Sequence, residues 1–291
     1  GALTVHTTYY AIANAATGAG GGLGVSLADI SANAAYASNN ATASSSLRGS
    51  GSLTVAGGAN ITTEGYARSA AIGKTRSFSI SALKVAVNVV YATLNINQSA
   101  YVNITGTLNV GGGALNVRSE IFKTGEFGVA DASVGGSGAG LGIALVGITV
   151  NSANAFASST NSAYIAGSGW VTAGSVSVRA KTVTDASAIA KKSLTIGLLT
   201  IGSLLATAKT GDNVSAYISG TDVTATAGDV SVTSIGNTRA YALCEQAGGV
   251  GLISGSSNEA ETYIGTNASK QTVSAGVGGG ADITASGNVT I

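Results

Sequence analysis

Proline and methionine are both missing from this chain of 291 residues, which has one cysteine, one histidine and one tryptophan. Without proline, every residue keeps its backbone donor, so no position is barred from a hydrogen-bonded ladder. The lone Cys244 excludes an internal disulfide and reads as a small apolar strand residue. The lone His6 excludes a multi-histidine metal site, and a Ser/His/Asp relay anywhere outside its own neighbourhood; it reads as a surface strand residue. Charge is scarce too: 14 basic and 13 acidic residues make up 9% of the chain, with a net charge of +1 and a pI near 8.0. That balance provides no basic field to attract nucleic acid.

What is present points to a folded, strand-rich chain. Hydrophobic residues make up 45% of it, the reverse of the composition that keeps chains disordered. Glycine occurs 43 times among Ala, Ser, Thr, Val and Asn, while helix formers are few. Alternation has period two: Val85, Val87 and Val89 alternate with Lys84, Ala86 and Asn88, and Ile196 and Leu198 with Thr195 and Gly197. The valines read as the interior face of a strand, which puts Lys84 and Asn88 outside.

A sentence repeats along the chain. A short strand after glycine opens at Gly1 (GALTV), Gly58 (GANIT), Gly113 (GALNV), Gly174 (GSVSV), Gly228 (GDVSV) and Gly280 (GADIT), at steps of 57, 55, 61, 54 and 52 residues. Ser99-Ala100-Tyr101-Val102, Ser162-Ala163-Tyr164-Ile165 and Ser215-Ala216-Tyr217-Ile218 keep a fixed place ahead of three openings, and Thr262-Tyr263-Ile264 is a looser copy. Self-similarity at this period marks a repeat architecture. The Asn-Gly and Asp-Gly turns of a propeller's hairpins are missing. The fold class is therefore all-β, an elongated parallel β-solenoid of degenerate repeats of about 56 residues. It forms one continuous segment over 1–291, in units 1–57, 58–112, 113–173, 174–227, 228–279 and a partial 280–291. Coils of roughly 18 to 28 residues would place two or three in each unit, stacked about 4.8 Å apart, in a rod of about 50 to 80 Å.

Val134 to Val150 and Leu194 to Ala208 are uncharged apolar stretches, but each is shorter than the roughly 20 residues of a spanning helix. They occupy one place in the repeat and read as buried solenoid strands, not as membrane spans.

More than half of the charged residues fall in one corresponding segment of each unit, just after the opening strand. Stacking would line them along one longitudinal face. The plain role of such a face is to keep the rod soluble. If the face binds a partner, the candidate stripe is Arg68, Lys74, Arg76, Lys123, Phe127, Lys181, Lys191, Lys192, Arg239 and Tyr241.

Motifs for chemistry fail on inspection. Gly73-Lys74-Thr75 resembles the end of a phosphate loop, but the required first glycine is replaced by Arg68. Gly278-Gly279-Gly280-Ala281-Asp282 has the wrong spacing for a calcium-binding nonapeptide. Glu259 with Glu261, and Glu120 with Glu126 and Asp131, could supply the acidic pair of a polysaccharide-degrading β-helix, a distant alternative to a surface role. Thr182/Thr184 and Thr224/Thr226 do not recur in all units, as an ice-binding array would need. No catalytic, cofactor or metal site is assigned, and the chain is expected not to be an enzyme.

Units such as Ser162 to Val178 and Ser215 to Val232 have the form apolar run, Ser-Ala-Tyr-Ile, turn, then Val-Thr-Ala-Gly-x-Val-x-Val and its variants. They resemble the β-strand repeats of large bacterial surface adhesins, the filamentous-haemagglutinin-like and leukotoxin-like proteins. That resemblance covers essentially the whole chain and implies a right-handed β-helix at the cell surface or outside the cell. The implied role is a structural stalk or fibre, with no catalytic residues to carry over. The alternatives are a solenoid face that binds glycan or host protein, and a subunit that assembles with itself laterally or end to end into a filament.

Overall fold

The computed structural model describes residues 1–18, 23–74, 78–125, 127–135, 142–191, 195–245, 249–265 and 270–291. In the first coil, β1 (Leu3–Gly18) runs out, β2 (Leu23–Gly49) returns across it and the short β3 (Ser52–Thr54) closes the path. The second coil repeats this with β4 (Ala59–Lys74), β5 (Phe78–Ile104) and β6 (Thr107–Asn109). In the third, β7 (Ala114–Ile121) and β8 (Val129–Val134) share the outward run, followed by β9 (Gly142–Gly167) and β10 (Trp170–Ala173). The fourth comprises β11 (Ser175–Lys191), β12 (Thr195–Ser219) and β13 (Asp222–Ala225). The fifth comprises β14 (Val230–Glu245), β15 (Val250–Ile264), β16 (Thr272–Gly278) and β17 (Ile283–Ala285), and β18 (Val289–Thr290) begins another turn.

Corresponding strands of successive coils pair side by side and always in parallel. They form an opening sheet (β1, β4, β7 with β8, β11, β14, β18), a return sheet (β2, β5, β9, β12, β15 with β16) and a closing sheet (β3, β6, β10, β13, β17). The molecule is an all-β parallel solenoid, three-sided where all three sheets meet. Residues repeat in columns: Val5, Ile61, Val117, Val178 and Val232 stand in one register through all five coils.

Two expectations are corrected by this register. Each repeat of about 56 residues is one broad coil, not two or three narrow ones. Strands of 16 to 27 residues replace the short strands expected, so the segment rises only about 25 Å along its axis. The opening at Gly280 is also misplaced. Ile283 pairs with Val223 in the closing sheet, and the sixth opening strand is β18, where Val289 pairs with Val230.

Packing divides the interior in two. At the three-sided end, aliphatic columns fill the prism: Ile61, Val102, Leu108, Leu115, Ile165 and Ile218 are fully or almost fully buried. The Ser-Ala-Tyr-Ile motif is part of this wall. Its Ala and Ile point inward, while Tyr101, Tyr164 and Tyr217 stack outside at 4.7 and 4.8 Å between centroids, with the Arg48 guanidinium 4.8 Å over Tyr101. Farther out, the opening and return sheets lie close together over an alanine layer that includes Ala67, Ala71, Ala92, Ala132, Ala155 and Ala188. Alanine needs little room, so the two sheets can approach closely along this length.

Beyond that layer, the beginning of each return strand doubles back on itself. Two consecutive residues face outward at Ala82–Leu83, Leu145–Val146 and Leu198–Leu199, and alternation reverses across each pair. The residues on either side of the bend then face one another. Thr149 Oγ1 lies 3.5 Å from Thr195 Oγ1, a Cβ on Gly147 would stand 2.3 Å from Thr195 Cγ2, and the Lys84 stem fills the place of a Gly142 side chain. So narrow a cleft takes only small or slender groups. Ser79, Ser81, Lys84 and Thr200 are buried in it, and the Ser79, Ser81 and Thr200 hydroxyls have no hydrogen-bond partner. Burial pushes the Lys84 ammonium below its ordinary pKa, against the pull of Asp29, its register neighbour.

Val85, Val87 and Val89 therefore face outward, and Lys84, Ala86 and Asn88 inward, which reverses the facing read from the sequence. The stretches Val134 to Val150 and Leu194 to Ala208 are likewise not wholly buried, because their large aliphatics at the bend lie on the outside. Position 194 and residues 136–141 lie outside the described residues.

Away from the bend, several polar groups in the core are matched from coil to coil. Asn33 Nδ2 donates to Asn88 Oδ1 at 2.9 Å, Asn88 Nδ2 to Asn151 Oδ1 at 2.7 Å, and Asn151 Nδ2 to the Lys191 carbonyl at 2.8 Å. Such a ladder gives each buried amide the partner that burial demands. Asp212 is fully buried and accepts from Ser159 Oγ at 2.7 Å and Thr184 Oγ1 at 2.6 Å. Burial pushes its carboxyl above the usual range, and these hydrogen bonds pull it partway back.

A carboxyl with a raised folded pKa holds its proton more tightly in the folded chain. Its stabilising contribution is complete below the unfolded value of about 4 and is lost as pH rises through the folded value. The melting temperature of Asp212→Asn relative to the parent should therefore increase between pH 4 and pH 7. A difference that stays constant over that range would contradict the burial assigned to Asp212.

Candidate functional site

Alternation along the opening strands leaves every second side chain on their outer face, and register stacks those side chains into columns. Glu64, Glu120 and Lys181 share one column, and Arg68, Val129, Asp185 and Arg239 another. The charged segments of the repeat thus lie on one face of one sheet. Of the candidate stripe, Arg68, Lys123, Phe127, Lys181, Lys191, Arg239 and Tyr241 belong to this face, and Lys74 is exposed at the end of β4. Arg76 and Lys192 lie outside the described residues, as does Glu126.

Opposite charges meet across neighbouring coils. Arg179 Nε stands 3.4 Å from Glu120 Oε1, and Lys191 Nζ 3.1 Å from Glu245 Oε1. Lys123 pairs with Asp185, and Arg68 offsets the desolvation that raises the Asp131 carboxyl. Exposed pairs of this kind contribute little individually. Their effect is to leave the stripe close to neutral.

Five-residue insertions interrupt the register twice: in the fifth coil, between Ile264 and Thr272, which pair with Thr210 and Asn213, and in the third coil, on the charged face. Between the positions paired with Thr182 and Asp185, which are three residues apart, the third coil runs from Ile121 to Val129, eight residues; the difference is a five-residue insertion. It accounts for most of the 61-residue step and escaped the sequence reading, because nothing in its composition sets it apart. The Phe122 amide donates to the Gly65 carbonyl at 3.1 Å and the Gly128 amide to the Ala67 carbonyl at 2.7 Å, which pins both ends to the second coil. Gly128 has φ of +73°, and a Cβ there would stand 2.8 Å from the Val183 carbonyl oxygen.

The insertion lays its aromatics on the sheet. Tyr10 and Tyr66 stack at 4.9 Å, Phe122 continues the stack at 5.4 Å, and Phe127 meets both tyrosines edge-on at 5.9 and 6.0 Å. Tyr10 and Tyr66 are 56 residues apart, and their shared column was the one sequence signal for this cluster. On its other side, the insertion walls an open pocket of about 270 Å³ lined by Lys123, Gly125, Val129, Asp185, Ser187, Arg239 and Tyr241. Two cations and one carboxylate leave this pocket with a net positive charge. The Arg239 guanidinium lies 6.0 Å from the Tyr241 ring centroid and offers a planar fork of donors to a carboxylate or sulfate.

Other residues noted in the sequence have structural places. Thr182 and Thr184 are buried, so they form no surface array. Cys244 is half-buried, its Sγ 3.0 Å from the Glu259 carbonyl oxygen, and burial pushes its thiol up. Among the described residues, no group of three or more His, Cys, Asp or Glu side chains is arranged to hold a metal ion. Nor is any helix there long and apolar enough to cross a membrane.

Compared with protein-family models, with curated proteins and with solved structures, the chain matches none.

Gly128→Ala should cost about 1 to 3 kcal/mol in urea unfolding, because it combines an unfavourable φ with a backbone clash. Asp185→Asn, which unpairs Lys123 on an exposed face, should cost less than about 1 kcal/mol at physiological salt. The reverse order would contradict the way the insertion is anchored.

Proposed function

We propose that this chain is a non-enzymatic structural segment, a stalk or spacer, of a large extracellular or cell-surface fibre. The observation that carries this reading is the parallel register that is kept through five coils and resumes after each insertion. Each coil presents the next with the same strand edges, and columns such as Val5-Ile61-Val117-Val178-Val232 continue from one to the next. Stability in such an array accumulates through neighbour interfaces and needs no new core as it lengthens. The near-neutral charged face suits a solvated side, and the adhesin-like Ser-Ala-Tyr-Ile units support a place outside the cell.

A second reading is favoured by the insertion and its pocket. This face binds a small anionic group, such as the carboxylate or sulfate of an acidic glycan, at Arg239 and Tyr241. Polysaccharide cleavage remains a distant third reading.

Antibodies raised against this segment should decorate unbroken producing cells or shed fibres in immunogold micrographs. Labelling that requires lysis would overturn the structural reading. On an array of sulfated and sialylated glycans, saturable binding that falls at least tenfold in the Arg239→Ala, Tyr241→Ala double variant would establish the second.

A further inference from the structure

The bends of the return strands, stacked from coil to coil, make a convex ridge parallel to the solenoid axis, and its outer side chains are aliphatic. In the third and fourth coils, each flanked by a coil on both sides, Ile143, Leu145, Leu198 and Ile201 are 40, 56, 52 and 45% exposed. The columns continue into the other coils, with Ile80 and Val250 beside Ile143 and Ile196. Inside the same bend sit Ser79, Ser81, Lys84 and Thr200. The ridge is thus apolar outside and polar inside, opposite to the three-sided end of the same coils.

The narrow cleft explains why large side chains are excluded from the inside, but it does not explain why the outside is aliphatic when charged residues cover much of the outer face of the neighbouring opening sheet. About six residues of contour and five coils give a patch on the order of 500 Å². That is at the upper end of what soluble monomers expose without a partner.

We propose that this ridge docks shallowly into the surface of a lipid bilayer. Shape favours lipid over a second copy. Two convex crests would touch along a line and bury far less than the roughly 800 Å² per partner of a stable interface, whereas lipid conforms to a crest. Chemistry agrees. The backbone on either side of the bend pairs with neighbouring coils in the return sheet, and only the single bend position of each coil, Ala82, Leu145 or Leu198, falls out of the paired register, so lowering the crest among the first acyl carbons leaves few groups unsatisfied. The charged side chain at the bend, Lys84, points inward, and Asp29 is its neighbour in register. Lys74 and Lys191 end the opening strands that lead into the ridge; Lys74 is exposed, and Lys191 is partly exposed and shared with Glu245. With Lys191 offset by Glu245, Lys74 is the cation beside the apolar crest, and its charge suits an anionic headgroup layer. The docking is interfacial, does not span the bilayer, and holds whether or not the segment serves as a stalk.

The test is flotation of the full chain with vesicles of phosphatidylcholine, alone and mixed with phosphatidylserine. The parent should float, more strongly with phosphatidylserine at low salt. Leu145→Glu with Leu198→Glu, both at exposed positions, should keep the circular dichroism spectrum of the parent and lose at least tenfold in vesicle partitioning. Asn103→Glu, exposed near the three-sided end, should partition like the parent. Three results would overturn the proposal: a parent that stays with the aqueous fraction, a double variant that floats as well as the parent, or a lipid-free parent dimer that the double variant abolishes. The last would identify the ridge as a self-association surface.

Discussion

The parallel hydrogen bonding of each coil to the next is the constraint on which the rest of this structure depends. Once β4 pairs with β1 in one register, the positions along each strand are fixed up to the next insertion, because a one-residue slip would move each side chain to the opposite face. Columns follow from that register. They bring together residues about 56 positions apart in the chain: the Asn33-Asn88-Asn151 ladder inside, the stacked Tyr101, Tyr164 and Tyr217 outside, and the ion pairs of the opening sheet. Identical side chains in a column also stabilise the register that aligns them, as stacked aromatics and amide ladders do in other cross-strand arrays.

Width is the second theme. A coil of about 56 residues is far larger than a hydrophobic prism can fill, and this chain fills it in three ways along its length. Aliphatics occupy the three-sided end, alanines let two sheets close together in the middle, and small polar residues line the final bend. The aliphatic residues displaced from the narrow end lie on its outer surface. High hydrophobic content here describes two surfaces, one inside and one outside.

Much of this was legible in the chain. Period-two alternation, the repeated glycine openings and the missing proline pointed to a parallel solenoid, and clustering of charge after each opening placed one face of it. The coil number was not legible, because alternation marks a strand but not where the strand turns, and five coils of long strands leave the same trace as many short ones. Facing was not legible at Val87 either: alternation is symmetric about its two faces, and only the paired outward residues at Ala82–Leu83 decide which side is in. The Gly280 opening misled because the closing and opening strands have similar sequences, GADIT and GNVTI, and only pairing to Val223 or Val230 tells them apart. The pocket at Lys123 and Arg239 depended on a five-residue insertion whose Thr, Gly and Phe are ordinary in this chain.

The central claim is that one repeat makes one coil. Spin labels at Ser38 and Tyr263, outward residues of one column in the first and fifth coils, measure it directly in a chain with Cys244→Ser. Four steps of about 4.8 Å place the labels about 20 Å apart. A distance of about 40 Å or more would mean that each repeat winds at least twice, and would contradict the account.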